Sequence, residues 1–363
     1  MRRQIFIGNV AVGGNAPVSI QSMCNTLTTD VTATLRQINI LADNGCQIIR
    51  LAVPDMAAAE AFKSIVKQSP IPVIADIHFD HRLAVKAIEN GAAAVRVNPG
   101  NLGGEDAVKA VAEALLKYNI PVRVGANSGS LPKEFTAHLT AENSALHDEL
   151  LSDALVEAVL KQSGAFERYG VKDIKVSLKA SSVPATVKAY RKFAQRSDHP
   201  LHVGVTEAGT PAKGIVKSAA GIGALLLDGI GDTIRVSLTA DPLQEVIAAI
   251  RILESVGLRN AAPDLVACPT CGRTKIDLVA LAEKVENLIN RIKAEKGIIQ
   301  LKKIAVMGCV VNGPGEAKDA DLGIAGGDGK VVLFKHGVIE ATLPESEGFE
   351  ALEKIIRKNT LWK

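Results

Sequence analysis

Between about residue 17 and residue 255 the chain repeats one unit: a short run rich in β-branched residues, a loop, and an amphipathic stretch of helical period. The runs are Val18–Ser22, Ile48–Val53, Val73–Asp76, Ala94–Asn98, Val122–Gly125, Ile174–Leu178, His202–Thr206 and Ile234–Leu238. Strands that alternate with helices are joined by crossovers, so they pair in parallel. Eight is the number at which such a sheet closes on itself, and the repeat predicts a (β/α)8 barrel. Helix-ending signals precede several strands, as at Asn44-Gly45 and Asn90-Gly91, where Gly supplies the left-handed cap. Thr29 or Asp30 caps the first helix, with Leu35, Ile38 and Leu41 along one stripe. The longest connection follows the fifth strand: a polar loop, Ser128 to Lys133, and a helix near Ala145–Gln162. Ile5 to Val12 reads as a hairpin with an Asn-containing turn, expected to plug the barrel's bottom.

Around Pro263 the rhythm changes. A Cys-x-x-Cys knuckle is followed by a helix near Ile276–Lys296, strands near Ile304–Met307, Val331–Phe334 and Val338–Thr342, and a final helix. This mix does not continue the βα repeat, so a boundary falls near 256–266, with a barrel over 1–258 and a smaller α/β domain over 259–363. The run of Lys and Glu from Lys284 to Lys302 reads as a solvated helix face. Gly323 to Gly329 lacks the full dinucleotide fingerprint and reads as a turn.

The smaller domain carries three cysteines with ligand spacing: Cys268 and Cys271 in Cys-Pro-Thr-Cys, and Cys309 in a loop rich in Gly and Pro. Two residues between cysteines let both sulfurs converge on one metal centre. A zinc ribbon needs a second such pair, which Cys309 lacks. Three sulfurs without a fourth leave one position of different character, as in an iron–sulfur cubane with one weakly held iron. Two alternatives stand beside this: a zinc-dependent barrel enzyme with a phosphorylated substrate, and a binding protein whose zinc merely fastens the second domain.

Several predicted strands carry cations: Arg50, Arg96, Arg123 and Arg235, with His78 and Lys179 just beyond two others. Alternation places Arg96 with Asn98, Arg123 with Asn127, Arg235 with Ser237 and Asp76 with His78 on common faces. If the intervening Val and Ile residues pack outward against helices, these polar groups point into the barrel. An arginine there is costly unless an anion meets it. Asp76, Glu207 and Asp232 are too few to neutralise the set, so the pattern predicts a polyanionic ligand such as a diphosphate. Glu207, after the seventh strand, is placed to act as an acid or base, or to balance the arginines.

Composition narrows the remaining classes. A chain of 363 residues, 47% hydrophobic and 22% charged, has the makings of a sizeable core. A net charge of +3 and 3% aromatic residues disfavour nucleic-acid binding. Five cysteines do not read as a disulfide framework; Cys24 and Cys46 read as small packing residues. The N-terminus lacks a signal peptide's apolar region, and no apolar stretch has the length of a membrane span, so the expected location is the cytoplasm.

Taken together, these segments resemble the 4-hydroxy-3-methylbut-2-enyl diphosphate synthase family. The resemblance rests on Gln21-Ser22-Met23 with Asn25-Thr26 and Thr29-Asp30, Ile74 to Phe79, Arg96-Val97-Asn98-Pro99-Gly100-Asn101 and Arg123 to Leu131. Cys268 to Thr274 and Gly308 to Glu316, its most specific parts, complete it. It runs in order over nearly the whole chain and departs at Cys24, where members usually carry Thr; the length suits the two-domain bacterial form.

The resemblance implies a [4Fe–4S] cluster held by Cys268, Cys271 and Cys309, with Glu316 on the fourth iron. It implies the two-electron conversion of 2-C-methyl-D-erythritol 2,4-cyclodiphosphate to 4-hydroxy-3-methylbut-2-enyl diphosphate, in the methylerythritol phosphate route to isoprenoids. By the same analogy Arg50, His78, Arg96, Arg123, Asn127, Lys179, Arg235 and Ser237 hold the diphosphate, and Glu207 and Asp76 are candidates for proton delivery. Flavodoxin or ferredoxin is the implied electron donor. A homodimer, with the cluster domain of one subunit over the barrel mouth of the other, is the implied assembly. Glu316 lies seven residues after Cys309, beyond the turn-rich Asn312-Gly313-Pro314-Gly315, which can loop back towards the sulfurs.

Overall fold

Alternating apolar and polar residues along each short strand set the architecture, because one face must meet helices and the other the barrel axis. The computed structural model describes residues 2–98, 101–136, 146–260, 263–311 and 313–362. Pro99, Gly100, Ala145 and Asn312, which figure in the motifs and helix above, lie outside the described residues. The chain divides into two compact units, Met1–Arg259 and Asn260–Lys363.

The first unit opens with a hairpin, β1 (Ile5–Ile7) and β2 (Val10–Val12), paired antiparallel around a Gly8-Asn9 turn. Then come β3 (Ser19–Met23), α1 (Val31–Asp43), β4 (Ile48–Ala52), α2 (Met56–Gln68), β5 (Val73–Asp76), α3 (His81–Glu89), β6 (Ala94–Arg96) and α4 (Glu105–Tyr118). They are followed by β7 (Val122–Asn127), the short α5 (Lys133–Thr136), α6 (His147–Glu167), β8 (Ile174–Lys179), α7 (Val183–Arg196), β9 (His202–Val203), α8 (Pro211–Leu227), β10 (Thr233–Ile234) and α9 (Pro242–Ser255). The parallel strands run in the order β8-β7-β6-β5-β4-β3-β10-β9, and a single parallel bridge from Val176 to Leu201 closes the ring. Every predicted strand is present in this barrel.

The last two strands are shorter than their apolar runs. Pairing stops at Gly204, where an added β-carbon would lie 2.4 Å from the Arg235 carbonyl oxygen and 2.8 Å from Lys179 Nζ. Only glycine leaves room there for the neighbouring backbone and the Lys179 ammonium. Asp30 is the cap of α1, accepting from the Ala33 N–H at 3.0 Å, and Gly45 and Gly91 take positive φ after their helices.

Outward residues such as Ile49, Val73, Val95, Val122 and Val176 join the helices in one large core. Facing inward, Ile48, Ile74 and Ala94 pack against Ile5, Ile7 and Val12 of the hairpin, which therefore plugs the bottom. Cys24 and Cys46 are buried, and burial pushes their thiols up to about 12 and about 11; both behave as packing residues.

The second unit contains β11 (Asp264–Ala267), α10 (Leu278–Ala294), β12 (Gly297–Ile299), β13 (Lys303–Met307), α11 (Gly313–Glu316), β14 (Leu322–Gly326), β15 (Lys330–Lys335), β16 (Val338–Pro344), α12 (Glu345–Lys358) and β17 (Thr360–Trp362). Its sheet runs β11-β13-β14-β15-β16, parallel over the first three strands and antiparallel over the last two, while β12 and β17 pair separately. Apolar residues of α10 and α12 cover one face.

One expectation fails here. Gly323 to Gly326 is no turn but most of β14, a buried central strand. A β-carbon at Gly323 would lie 2.1 Å from the Phe334 ring, and one at Gly326 2.7 Å from Ile276. The glycines mark close packing, and only Gly327 onward turns. Among the described residues no helix is long and apolar enough to cross a membrane.

Candidate active site

Two residues above the apolar plug, the same inward faces turn polar. Asp76, Arg96, Arg123 and Lys175 are register neighbours on β5 to β8, so their side chains share the barrel interior. Asp76 lies 3.3 Å from Arg96 and 3.5 Å from Arg50, with His78 Nε2 at 3.7 Å. Arg235 pairs with Glu245 at 3.3 Å, and Lys175 donates to Gln21 at 3.3 Å. Lys179 reaches over Gly204, and its register partner Asn127 ends β7. Six cations thus face two paired carboxylates among the described residues.

The electrostatics follow from that imbalance. Burial would raise the Asp76 carboxyl, but Arg50, His78, Arg96 and Arg123 outweigh it and hold it well below the usual carboxylate range. Burial lowers Arg50 to about 10 despite Asp76. Burial, then the neighbouring cations, push Arg123, Lys175 and Lys179 well down. Arg123 Nε and Nη1 and Arg96 Nε are buried without a hydrogen-bond partner. Unsatisfied buried guanidinium donors are rare in folded proteins, and an anion in the barrel would satisfy them.

Of the residues expected to hold a diphosphate, Arg50, Arg96, Arg123, Lys179 and Arg235 converge in the interior. His78 stands beside Asp76, and Ser237 follows Arg235 by two residues. Glu207 is exposed after β9, with left-handed backbone at φ 52°, and its Oε1 lies 3.6 Å from where a β-carbon on Gly129 would sit. A non-glycine residue in that conformation carries local strain, which concentrates at working sites.

The cysteines sit where neighbouring parallel strands end. Cys268 follows β11 and Cys309 follows β13, and Ala267 is in register with Val306. Gly308 N–H donates to Cys268 Sγ at 3.1 Å, and Lys275 N–H donates to the Gly308 carbonyl at 3.0 Å, so the Cys-x-x-Cys turn rests on the Cys309 loop. A β-carbon at Gly308 would meet Thr274 Oγ1 at 2.9 Å, which is why no side chain fits there. An N–H of Arg273 chiefly, with the Thr274 hydroxyl and the Arg273 charge, lowers the Cys271 thiol. All three thiols are free. Among the described residues, no three His, Cys, Asp or Glu side chains stand close enough together to hold a metal ion. Glu316 ends α11 and is exposed. The donor set therefore suits a thiolate-bound metal group in kind and in loop placement.

Residues 2–250 match the family model of the GcpE TIM-barrel domain, and residues 264–358 match that of the GcpE protein C-terminal domain. The chain belongs to the GcpE family. It is 53% identical over 359 residues to the 4-hydroxy-3-methylbut-2-en-1-yl diphosphate synthase (flavodoxin) of Geobacter sulfurreducens, covering 98% of this chain and 97% of the relative. Identity to the proteins of the same name from Caldanaerobacter subterraneus and Clostridium perfringens is 50% and 49%, covering 99% and 98% of this chain and 97% of each relative.

Four further residues stand around the cations of this GcpE barrel. Lys175 shares its face with Lys179, and the alternation in Lys175-Val176-Ser177-Leu178-Lys179 was the signal for it. His202 is fully buried; burial and then Lys179 and Arg123 hold its pKa well below the usual value, and Nδ1 lies 2.7 Å from Thr233 Oγ1. Met23 places its sulfur 2.8 Å from Arg50 Nη2 and 3.6 Å from Arg235 Nη1. Glu245 comes from α9, outside any strand pattern.

Proposed function

We propose that this chain is a 4-hydroxy-3-methylbut-2-en-1-yl diphosphate synthase, reducing 2-C-methyl-D-erythritol 2,4-cyclodiphosphate by two electrons in the cytoplasm. The observation that carries this reading is the excess of buried cations, with Arg123 and Arg96 donors left unpartnered. Opening the cyclic diphosphate breaks a carbon–oxygen bond and leaves a terminal diphosphate with one more negative charge, while a hydroxyl departs as water. Fixed guanidiniums aimed at that developing charge favour the open form over the ring. Arg50, His78, Arg96, Arg123, Asn127, Lys179, Arg235 and Ser237 are assigned to the diphosphate. Asp76, ionised between Arg50 and Arg96, orients both and would have to lose them to carry a proton. Glu207, exposed and conformationally strained, is the better proton donor to the departing hydroxyl.

Cys268, Cys271 and Cys309, with Glu316 as the exchangeable fourth ligand, are assigned to a [4Fe–4S] cluster, which when bound supplies single electrons and a Lewis-acidic iron. Flavodoxin, part of the relatives' names, or ferredoxin delivers the electrons, and a second copy of the chain supplies the cluster domain over each barrel. The test is anaerobic iron and sulfide reconstitution, then turnover of the cyclic diphosphate with a chemical reductant. The expected product is the open allylic diphosphate. Replacing Cys268, Cys271 or Cys309 by Ser should abolish iron retention and turnover, while Glu316→Gln keeps the thiolates but makes the cluster labile and the turnover slow. No product from fully reconstituted protein would overturn the reading.

A further inference from the structure

Arg235 is held by a carboxylate that comes from a helix rather than from the barrel wall. Glu245, 5% exposed, lies in the first turn of α9. Its Oε2 accepts from Arg235 Nε at 3.3 Å and Nη2 at 3.4 Å. Its Oε1 accepts from the Leu238 N–H at 2.9 Å. One side chain thus fixes the guanidinium and the strand extension that carries Ser237. With Nε and Nη2 engaged, Nη1 is the end of Arg235 left for another acceptor. It now faces the Met23 sulfur at 3.6 Å, a weak acceptor that an anionic oxygen readily replaces.

We propose that Glu245 is a positioning residue for the diphosphate, holding Arg235 with Nη1 towards the barrel axis and Ser237 on the same face. The proposal rests on the function proposed above and deepens it. It excludes direct contact between Glu245 and substrate, because both its oxygens are occupied and a carboxylate would repel the ligand.

The test uses Glu245→Gln, which keeps the shape and one carbonyl acceptor but loses the charge and one acceptor. In the reconstituted enzyme KM for the cyclic diphosphate should rise about tenfold, or ~1.4 kcal/mol. The maximal rate should stay within about threefold, as for lost ground-state binding. Calorimetry with inorganic diphosphate on the full-length protein without cluster should show a parallel loss of affinity, with unchanged circular dichroism. Unchanged KM and unchanged diphosphate affinity overturn the proposal, as does a fall in maximal rate at constant KM. Should Glu245→Gln fail to fold, Glu245→Asp takes its place: it keeps the charge one methylene short, and weakened diphosphate binding in a folded protein is expected. If neither folds, Glu245 serves the barrel's stability and the proposal falls. Wild-type protein that binds inorganic diphosphate more tightly than the variant, yet does not turn over the cyclic diphosphate, would sink the functional reading and leave the positioning role standing.

Discussion

Asp76 shows how one side chain sets the character of the site. It is 3% exposed and sits between the partly buried Arg50 and the buried Arg96, so removing its charge leaves two guanidiniums without their shared counter-ion. Breaking such a pair costs roughly 3–5 kcal/mol. Asp76→Asn should therefore lower the urea midpoint substantially, and added inorganic diphosphate should restore part of the loss by supplying the missing anion. The pH dependence has a definite sign. The folded-state pKa of Asp76 lies below its unfolded value of about 3.9, so its stabilisation is complete above that pH and is lost as pH falls towards the folded value. Urea titrations of wild type and variant should differ by a constant amount near neutrality, and the gap should narrow in acid. A gap that widens on acidification contradicts this account.

At the scale of elements, β14 is the instructive case. A strand whose interior begins with glycine lacks the side-chain signal that identifies its neighbours, yet it occupies the middle of a five-stranded sheet. Gly323 faces the Phe334 ring across the antiparallel pair β14–β15. Gly323→Ala should cost about 1–3 kcal/mol through overpacking. Adding Phe334→Leu should recover part of it, read as a denaturant midpoint closer to wild type in the double variant. Equal midpoints for Gly323→Ala and wild type would show that the ring moves aside without cost. The hairpin β1–β2 was legible for the opposite reason: alternating Ile5 and Ile7 before a Gly-Asn turn, with Val10 and Val12 after it, encode both its pairing and its apolar face.

For the whole molecule, each compact unit has its own apolar core. The interior cations all belong to Met1–Arg259, so the isolated segment 1–259 should fold and bind inorganic diphosphate about as tightly as the full chain, checked by calorimetry. It should retain no iron after reconstitution, since Cys268, Cys271 and Cys309 lie beyond it. An unfolded segment, or one without diphosphate affinity, would show that the second unit is needed to shape the barrel. The sequence alone determined the eight strands, the inward direction of Arg50, Arg96, Arg123 and Arg235, and the ligand spacing of the cysteines. These follow from periods of two and 3.6 and from short spacings, which are local properties of a chain. Tertiary structure decided who meets whom: Lys175 with Gln21 across 154 residues, Arg235 with a helical Glu245, Asp76 between two arginines, and Arg123 with its Nε and Nη1 short of a hydrogen-bond partner among the described residues. It also decided that glycine could form a central strand. Such pairings depend on how strands close into a ring and how far side chains reach across it, which no window of neighbouring residues contains.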